Sequence, residues 1–276
     1  MRTTLMIAVL AAAAAAVELA ARPAAAQQQT ALAKLSLADA KAKLAAGTVQ
    51  NPADLRGVDL SGLDLSGVDF KGADLTGARL AGTNLSKANL LACDLTDAVL
   101  TEADLRGANL DTSTLRRANF QKANLEGASL FATIMEKADL RGANLSRTRI
   151  IGYLKNAQLA GAILRDANIG ADPGNQSMGV MRAQFGGADL TGADLTGANL
   201  FKADFSYAVL HDAKLAGADL SNSDLVQADF TGADLTGANL AKADLSGAVF
   251  RRVVGRSEIK GLDEARNRDK AIFDAN

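Results

Sequence analysis

A chain of 276 residues would ordinarily divide into one or two packed domains, yet this one has no Trp, only 4% aromatic residues, and a crowd of Ala, Leu, Gly and Asp. That bias points to one short unit copied many times rather than to an ordinary globule. Thirty basic residues face 31 acidic ones, for a formal charge of −1. The balance lacks both the basic footprint of a nucleic-acid binder and the strong acidity of a nucleic-acid mimic.

The first 26 residues read as a secretory signal. Arg2 gives a positive start, Leu5 to Val17 an apolar stretch, and Ala24-Ala25-Ala26 a small-residue cleavage site. Cleavage after Ala26 would leave Gln27 first and a net charge of about −2. A membrane anchor is the alternative, but the apolar run falls short of the roughly 20 residues that span a bilayer, and Glu18 interrupts its end. No cysteine lies near the site to carry a lipid. The reading is therefore a periplasmic or secreted protein with no stable membrane span after cleavage.

Residues 27–52 are expected to form an N-terminal helical cap. Ser36 with Asp39 three residues later is a helix start, Leu37 and Leu44 share a face, and Gly47 is a stop.

The repeats follow, over 53–252. From Leu55 to Ile150 every fifth residue is apolar, and a second unbroken run extends from Phe185 to Phe250. Leu154, Leu159, Leu164 and Ile169 supply four more units in a displaced register, making 38 in all. Two residues before each centre Ala is usual, and immediately before it Asp or Asn. A period of five fits neither a helix nor a long flat strand, so the chain must turn at every unit. Gly57, Gly62, Gly67, Gly72 and Gly77 stand two residues after their centres, where a tight turn uses positive φ, but Lys87, Arg117, Lys122 and Lys137 hold the same position elsewhere.

Units such as Ala73-Asp74-Leu75-Thr76-Gly77 and Ala193-Asp194-Leu195-Thr196-Gly197 resemble those of the pentapeptide-repeat family over roughly Ala53 to Arg252. The resemblance implies an all-β solenoid, a right-handed quadrilateral β-helix. Four units make one coil, with the centre and the small residue two before it pointing inward. Thirty-eight units then give about 9–10 coils, or roughly 45 Å of rod at about 4.8 Å per coil. One coil alone cannot offset the entropy of ordering its residues, so stability belongs to the stack. Phe185 should stack on Phe205, and Phe230 on Phe250, one coil apart.

Two irregularities break the rhythm. Ile150 to Leu154 is one residue short, and the step from Ile169 to Phe185 contains one unit plus eleven extra residues. Asp172-Pro173-Gly174-Asn175 is turn chemistry, so a surface loop is expected at about 170–182. Beyond the repeats, 253–276 is expected to form a short C-terminal helical cap, with Ile259, Leu262, Ile272 and Phe273 among charges. The same end offers a homodimer surface.

No catalytic constellation is present: G-x-S-x-G, H-E-x-x-H, a P-loop and paired cysteines are all missing. No cofactor or metal is expected, and the chain reads as no enzyme. His211 follows its centre and faces outward, while Cys93 replaces an inward Ala as buried filler and has no second cysteine to pair with. The Asp and Asn columns could attract cations, but bonding of each side chain to its own turn is the favoured reading. Candidate partner contacts are Asp172, Met178, Val180, Met181 and Arg182 at the loop, together with Arg116, Arg117 and Lys137, which should meet on neighbouring coils as a small basic patch. The expected function is an exported, non-catalytic scaffold whose partner is a protein or an envelope component, without nucleic acid. The family resemblance also implies an alternative, a DNA mimic that binds DNA gyrase, disfavoured by the near-neutral charge and the export signal. An enzymatic site on the loop finds only Asp172 and Ser177 as reactive types.

Overall fold

The computed structural model describes residues 34–171 and 181–274. The expected signal segment and cleavage site lie outside these, as do Asp172, Ser177, Met178 and Val180 of the insertion.

The residue before each apolar centre forms a parallel bridge to its counterpart one coil on. Asp54 pairs with Asp74, Asp74 with Asp94, and Asp94 with Thr114. Three further ladders run through Asp59, Asp64 and Asp69, the first of them reaching back to Lys34. Each coil thus has four faces, and each corner is numbered here by the ladder it follows. One unit shows how five residues suffice. Leu55 N–H donates to Asp74 O at 2.8 Å and Asp74 N–H donates to Ala53 O at 3.0 Å along the axis, while Ala78 N–H donates to Leu75 O at 2.9 Å to close the corner. The backbone is satisfied mainly between coils, so each coil depends on its neighbours.

Inward positions alternate large and small. Leu75, Leu80, Leu140 and Leu200 are fully buried, and so are Ala73, Ala78, Ala138 and Ala193. Where Ser or Thr replaces the small Ala, its hydroxyl finds a carbonyl: Ser113 Oγ donates to Leu90 O at 2.6 Å and Thr148 Oγ1 to Leu145 O at 2.6 Å. Burial of these hydroxyls therefore leaves no unpaired group. Phe185 and Phe205 stack at 4.9 Å, and Phe230 and Phe250 at 5.0 Å.

Corners use left-handed backbone whichever residue occupies them. Gly77 has φ 64°, and Lys87, Arg117, Lys122 and Lys137 lie between 56° and 58°. The turn demands the conformation rather than glycine. Gly152 is different, because its coil is one residue short. Strands β1 (Ser129–Ile134) and β2 (Arg149–Tyr153) pair in parallel with an irregular register, Ile134 opposite Tyr153. A Cβ on Gly152 would lie 2.5 Å from the Thr133 carbonyl oxygen.

The eleven-residue excess enters at one fourth corner. Asn168 still pairs with Asn199, and Gln184 with Asp204, so the ladders on both sides pass it undisturbed.

At the start of the stack, helix α1 spans Leu37–Ala46. Ser36 accepts the Asp39 N–H at its N-cap, and Gly47 follows its last residue. Ala40 and Leu44 are buried in the common core, and Leu35 N–H donates to Asp59 O at 3.0 Å, giving the first coil a bonded neighbour.

The C-terminal helix expected over 253–276 is not what forms. The chain makes one further coil: Val254, Lys260 and Arg266 bridge back to Asp234, Asn239 and Asp244, and β4 (Ile272–Phe273) pairs with β3 (Val249–Phe250). Its corners are 3-10 turns at Arg256–Glu258, Leu262–Glu264 and Arg268–Lys270. A helix bonds its own backbone and would leave the edge of the preceding coil unpaired, whereas a coil pairs it: Leu240 N–H donates to Lys260 O at 2.8 Å. Phe273 stacks on Phe250 at 5.1 Å, extending the ring column by one.

Candidate functional site

The polar columns are occupied by their own turns. Asp74 Oδ1 accepts the Thr76 N–H at 3.0 Å and the Thr76 hydroxyl at 2.6 Å, and Asp59, Asp189 and Asp234 accept the corresponding N–H groups of Ser61, Thr191 and Thr236. Between coils, Asn84 Nδ2 donates to Asp64 Oδ1 at 2.9 Å. This is the turn-bonding role favoured from sequence. Among the described residues no group of His, Cys, Asp and Glu comes together as a metal site.

Arginines take up further carboxylates. Arg106 grips Asp104 with two bonds, at 2.9 and 2.6 Å, and holds that carboxyl below its usual range. Asp194 is the most enclosed of these acids, with 6% of its surface exposed. Burial raises its pKa, but the Arg165 guanidinium at 2.7 Å and the Thr196 N–H and hydroxyl outweigh that and hold it below the ordinary carboxylate value.

Cys93 is buried, and burial pushes its thiol up to about 12, which keeps it protonated and unreactive. His211 Nε2 lies 2.8 Å from Asp229 Oδ2. The Thr231 N–H and hydroxyl both donate to Asp229 Oδ1, the same turn bonding that Thr76 makes to Asp74, so the contact follows the repeat pattern and marks no separate acid–base site.

The structure brings Arg116, Arg117 and Lys137 together at the first corner, as expected, but not as an open basic patch. Arg116 pairs with Glu136 at 3.1 Å, and Arg117 with Asp97 at 2.5 Å. These residues line a depression of about 400 Å³ with Lys155 and Asn156. Met181 and Arg182 sit elsewhere, at the fourth corner, half-buried. There Arg182 reaches Asp204 at 3.5 Å and joins Lys202, Asn222, Lys242 and Arg266 along a depression of about 530 Å³. Met181 with Arg182 and the set of Arg116, Arg117 and Lys137 therefore lie on opposite edges of one face.

Sequence reasoning missed the neighbours of Lys137. Along the first corner it is followed by Asn156, Gly187 and Tyr207, at steps of 19, 31 and 20 residues set by the short coil and the insertion. A second depression of about 400 Å³ opens there, lined by Lys155, Asn156, Gln184, Gly186, Gly187, Asp204, Ser206 and Tyr207. The signal was available: carrying both register shifts along the corner aligns these residues.

The ladders, the four-faced coils and the five-residue step define a parallel β-solenoid whose polar repeat positions are consumed by architecture. The family profile for pentapeptide repeats matches residues 53–90, 93–130, 123–152, 181–217 and 213–252, more than half of the chain, in eight copies. The chain belongs to the pentapeptide-repeat family, which makes its solenoid a right-handed β-helix. Among solved structures it is similar to HetL, a pentapeptide repeat protein involved in heterocyst differentiation regulation in Nostoc sp. strain PCC 7120. Identity is 30%, over 86% of this chain and 94% of that one, with a TM-score of 0.34. A pentapeptide repeat protein of the Arabidopsis thaliana thylakoid lumen is 38% identical over 34% of this chain and 66% of its own, with a TM-score of 0.34. QnrB1, a plasmid-mediated fluoroquinolone resistance protein, is 17% identical over 78% of this chain and 93% of its own, also at 0.34. No protein of curated function matches.

Proposed function

We propose that the chain is an exported, non-catalytic scaffold that presents a rigid β-helical side to a protein or envelope partner. The supporting observation is the fixed register of its outward side chains. Left-handed corners and axial hydrogen bonds hold each outward residue about 4.8 Å from its counterpart on the next coil, while the carboxylates and the thiol that chemistry would use are bonded to turns, paired or buried. A pre-ordered surface of this kind binds without a large ordering cost. Export rests on the apolar segment before Ala26 and its small-residue cleavage site. Pairing of two copies would use the terminal coil, where Val254 is 55% and Ile272 42% exposed. The gyrase-binding alternative gains no supporting observation, since the charge is near neutral and the aspartate columns are occupied.

Fractionation of cells making the full-length chain, with mass spectrometry of the mature N-terminus, tests the export reading. A chain beginning near Gln27 outside the cytoplasm supports it, and an intact cytoplasmic chain beginning at Met1 overturns it. Cross-linking in the same cells tests the scaffold role, which a failure to capture any partner contradicts.

A further inference from the structure

The two depressions at the first corner share Lys155 and Asn156 and run together. Residue pairs from five successive coils border them, from Arg116-Arg117 to Ser206-Tyr207, so the groove is about 19 Å long at about 4.8 Å per coil. On the fourth of these five coils, Gly186-Gly187 leaves a notch one coil tall. Tyr207 stands on one side of it, 65% exposed, and Lys155 with Asn156 on the other. Nothing in the core or the ladders requires a tyrosine there, because the corner position faces outward and elsewhere along this corner holds Gly, Asp, Arg, Lys, Asn or Gln.

Charge and hydrogen bonding narrow the ligand. Arg116 and Arg117 are paired, but no carboxylate among the described residues lies within ion-pair distance of Lys137 or Lys155. Two ammonium groups at the middle of the groove favour an anion. Backbone groups beside it are already bonded along the axis: Gly187 N–H to Ser206 O at 2.9 Å, Tyr207 N–H to Val226 O at 2.8 Å. An added peptide strand therefore finds no free edge. Glu136 and Asp204 also border the groove, each paired with an arginine, Arg116 at 3.1 Å and Arg182 at 3.5 Å, so the two lysines keep their pull on an anion. The same carboxylates accept bonds from hydroxyl groups, as do the Asn156 and Gln184 amides. An exposed aromatic face beside amides, a carboxylate and a hydroxyl suits a sugar ring, whose C–H face packs on the tyrosine.

We propose that this groove binds an acidic polysaccharide: an extended chain of carboxylate-bearing sugars laid along the corner. One ring rests against Tyr207 over the Gly186-Gly187 notch, and the carboxylates meet Lys155 and Lys137. The coil spacing is close to the length of one sugar unit in an extended chain, so successive units meet successive coils. The proposal rests on the reading of the chain as a surface for an envelope partner, and it gives that partner a chemistry.

The test titrates the full-length protein with an oligogalacturonate by calorimetry. A neutral oligosaccharide of equal length, a single-stranded oligonucleotide and a glutamate-rich peptide are run beside it. Saturable binding of the oligouronate, weakened by salt and roughly tenfold tighter than the neutral sugar, is expected, with no binding of the other two. Tyr207→Ala should lower affinity about tenfold. Gly186→Gln should do the same by filling the notch. It is free of strain, because Gly186 is outside the left-handed region and its Cβ would meet only the Ser206 carbonyl oxygen, at 3.7 Å. Both variants should melt with the parent, and Lys155→Gln should remove about half of the salt dependence, leaving the share of Lys137. Absence of oligouronate binding, binding that Tyr207→Ala and Gly186→Gln leave unchanged, or preference for the oligonucleotide or peptide would each overturn the proposal. None of these outcomes bears on fractionation or cross-linking, which test the scaffold reading separately.

Discussion

The regular stack and the terminal coil share their ladders but differ in one position. In a regular unit the residue after the bridge is an inward Leu or Phe in extended backbone, and the left-handed turn comes two residues later. In the terminal coil the residue after the bridge is itself left-handed: Gly255 at φ 72°, Gly261 at 66° and Asn267 at 55°. Bridges then fall six residues apart, at Val254, Lys260, Arg266 and Ile272. Three of the four columns of large inward side chains stop, with Phe273 continuing the fourth, and Val253, Ile259, Ala265 and Ala271 close over the end half-buried. The difference teaches how a solenoid ends. It keeps the hydrogen-bonding edge of the last regular coil satisfied while no longer offering the next coil an apolar floor.

Substitutions break this contrast from the stack side first. Leu140→Ala should cost about 3 kcal/mol, because its close-packed column cannot collapse into the cavity, whereas Leu262→Ala, half-buried in the terminal coil, should cost well under half as much by denaturant titration. Gly261→Val is expected to lose about 2 kcal/mol locally, since a β-branched residue resists positive φ and its Cβ would lie 2.7 Å from Ala241 backbone atoms. Hydrogen exchange should quicken at Lys260 and Arg266 and stay unchanged at Asn144, deep in the stack. Ala92→Gly sharpens the comparison in the opposite direction. Ala92 is a left-handed corner at φ 56°, so relief of its Cβ should stabilise by about 1 kcal/mol, visible as a higher melting temperature.

The smallest expected effect is electrostatic. Asp194 has a folded-state pKa held below its ordinary value by Arg165 and the Thr196 turn, against burial. Its contribution is therefore fully present above the unfolded-chain pKa of about 4 and is lost as pH falls through the folded value. Asp194→Asn should lower the melting temperature at neutral pH and converge on the parent in acid, which flattens the acid side of the profile. An unchanged acid limb would remove Asp194 from the account.

The sequence by itself determined the repeat. A strict five-residue apolar spacing with a small residue two before each centre admits only a chain that turns at every unit, and inward Leu, the Phe stacks and the turn-bonded Asp columns all follow from it. The rule is local, so one unit carries it. Ser36, Asp39 and Gly47 likewise mark a helix within a dozen residues. At the C-terminus the six-residue spacing of Gly255, Gly261 and Asn267 was legible, but Ile259 and Leu262 at helical spacing concealed it. What decided between them was the unpaired edge of the coil ending at Phe250, which only a further coil could satisfy. The first-corner groove also needed tertiary structure. Lys137, Asn156, Gly187 and Tyr207 become neighbours only after one deletion and one eleven-residue insertion have shifted the register, and whether the lysines stay unpaired depends on which carboxylates the adjoining coils bring near. Spacing sets which side chains point outward, whereas stacking sets which of them meet.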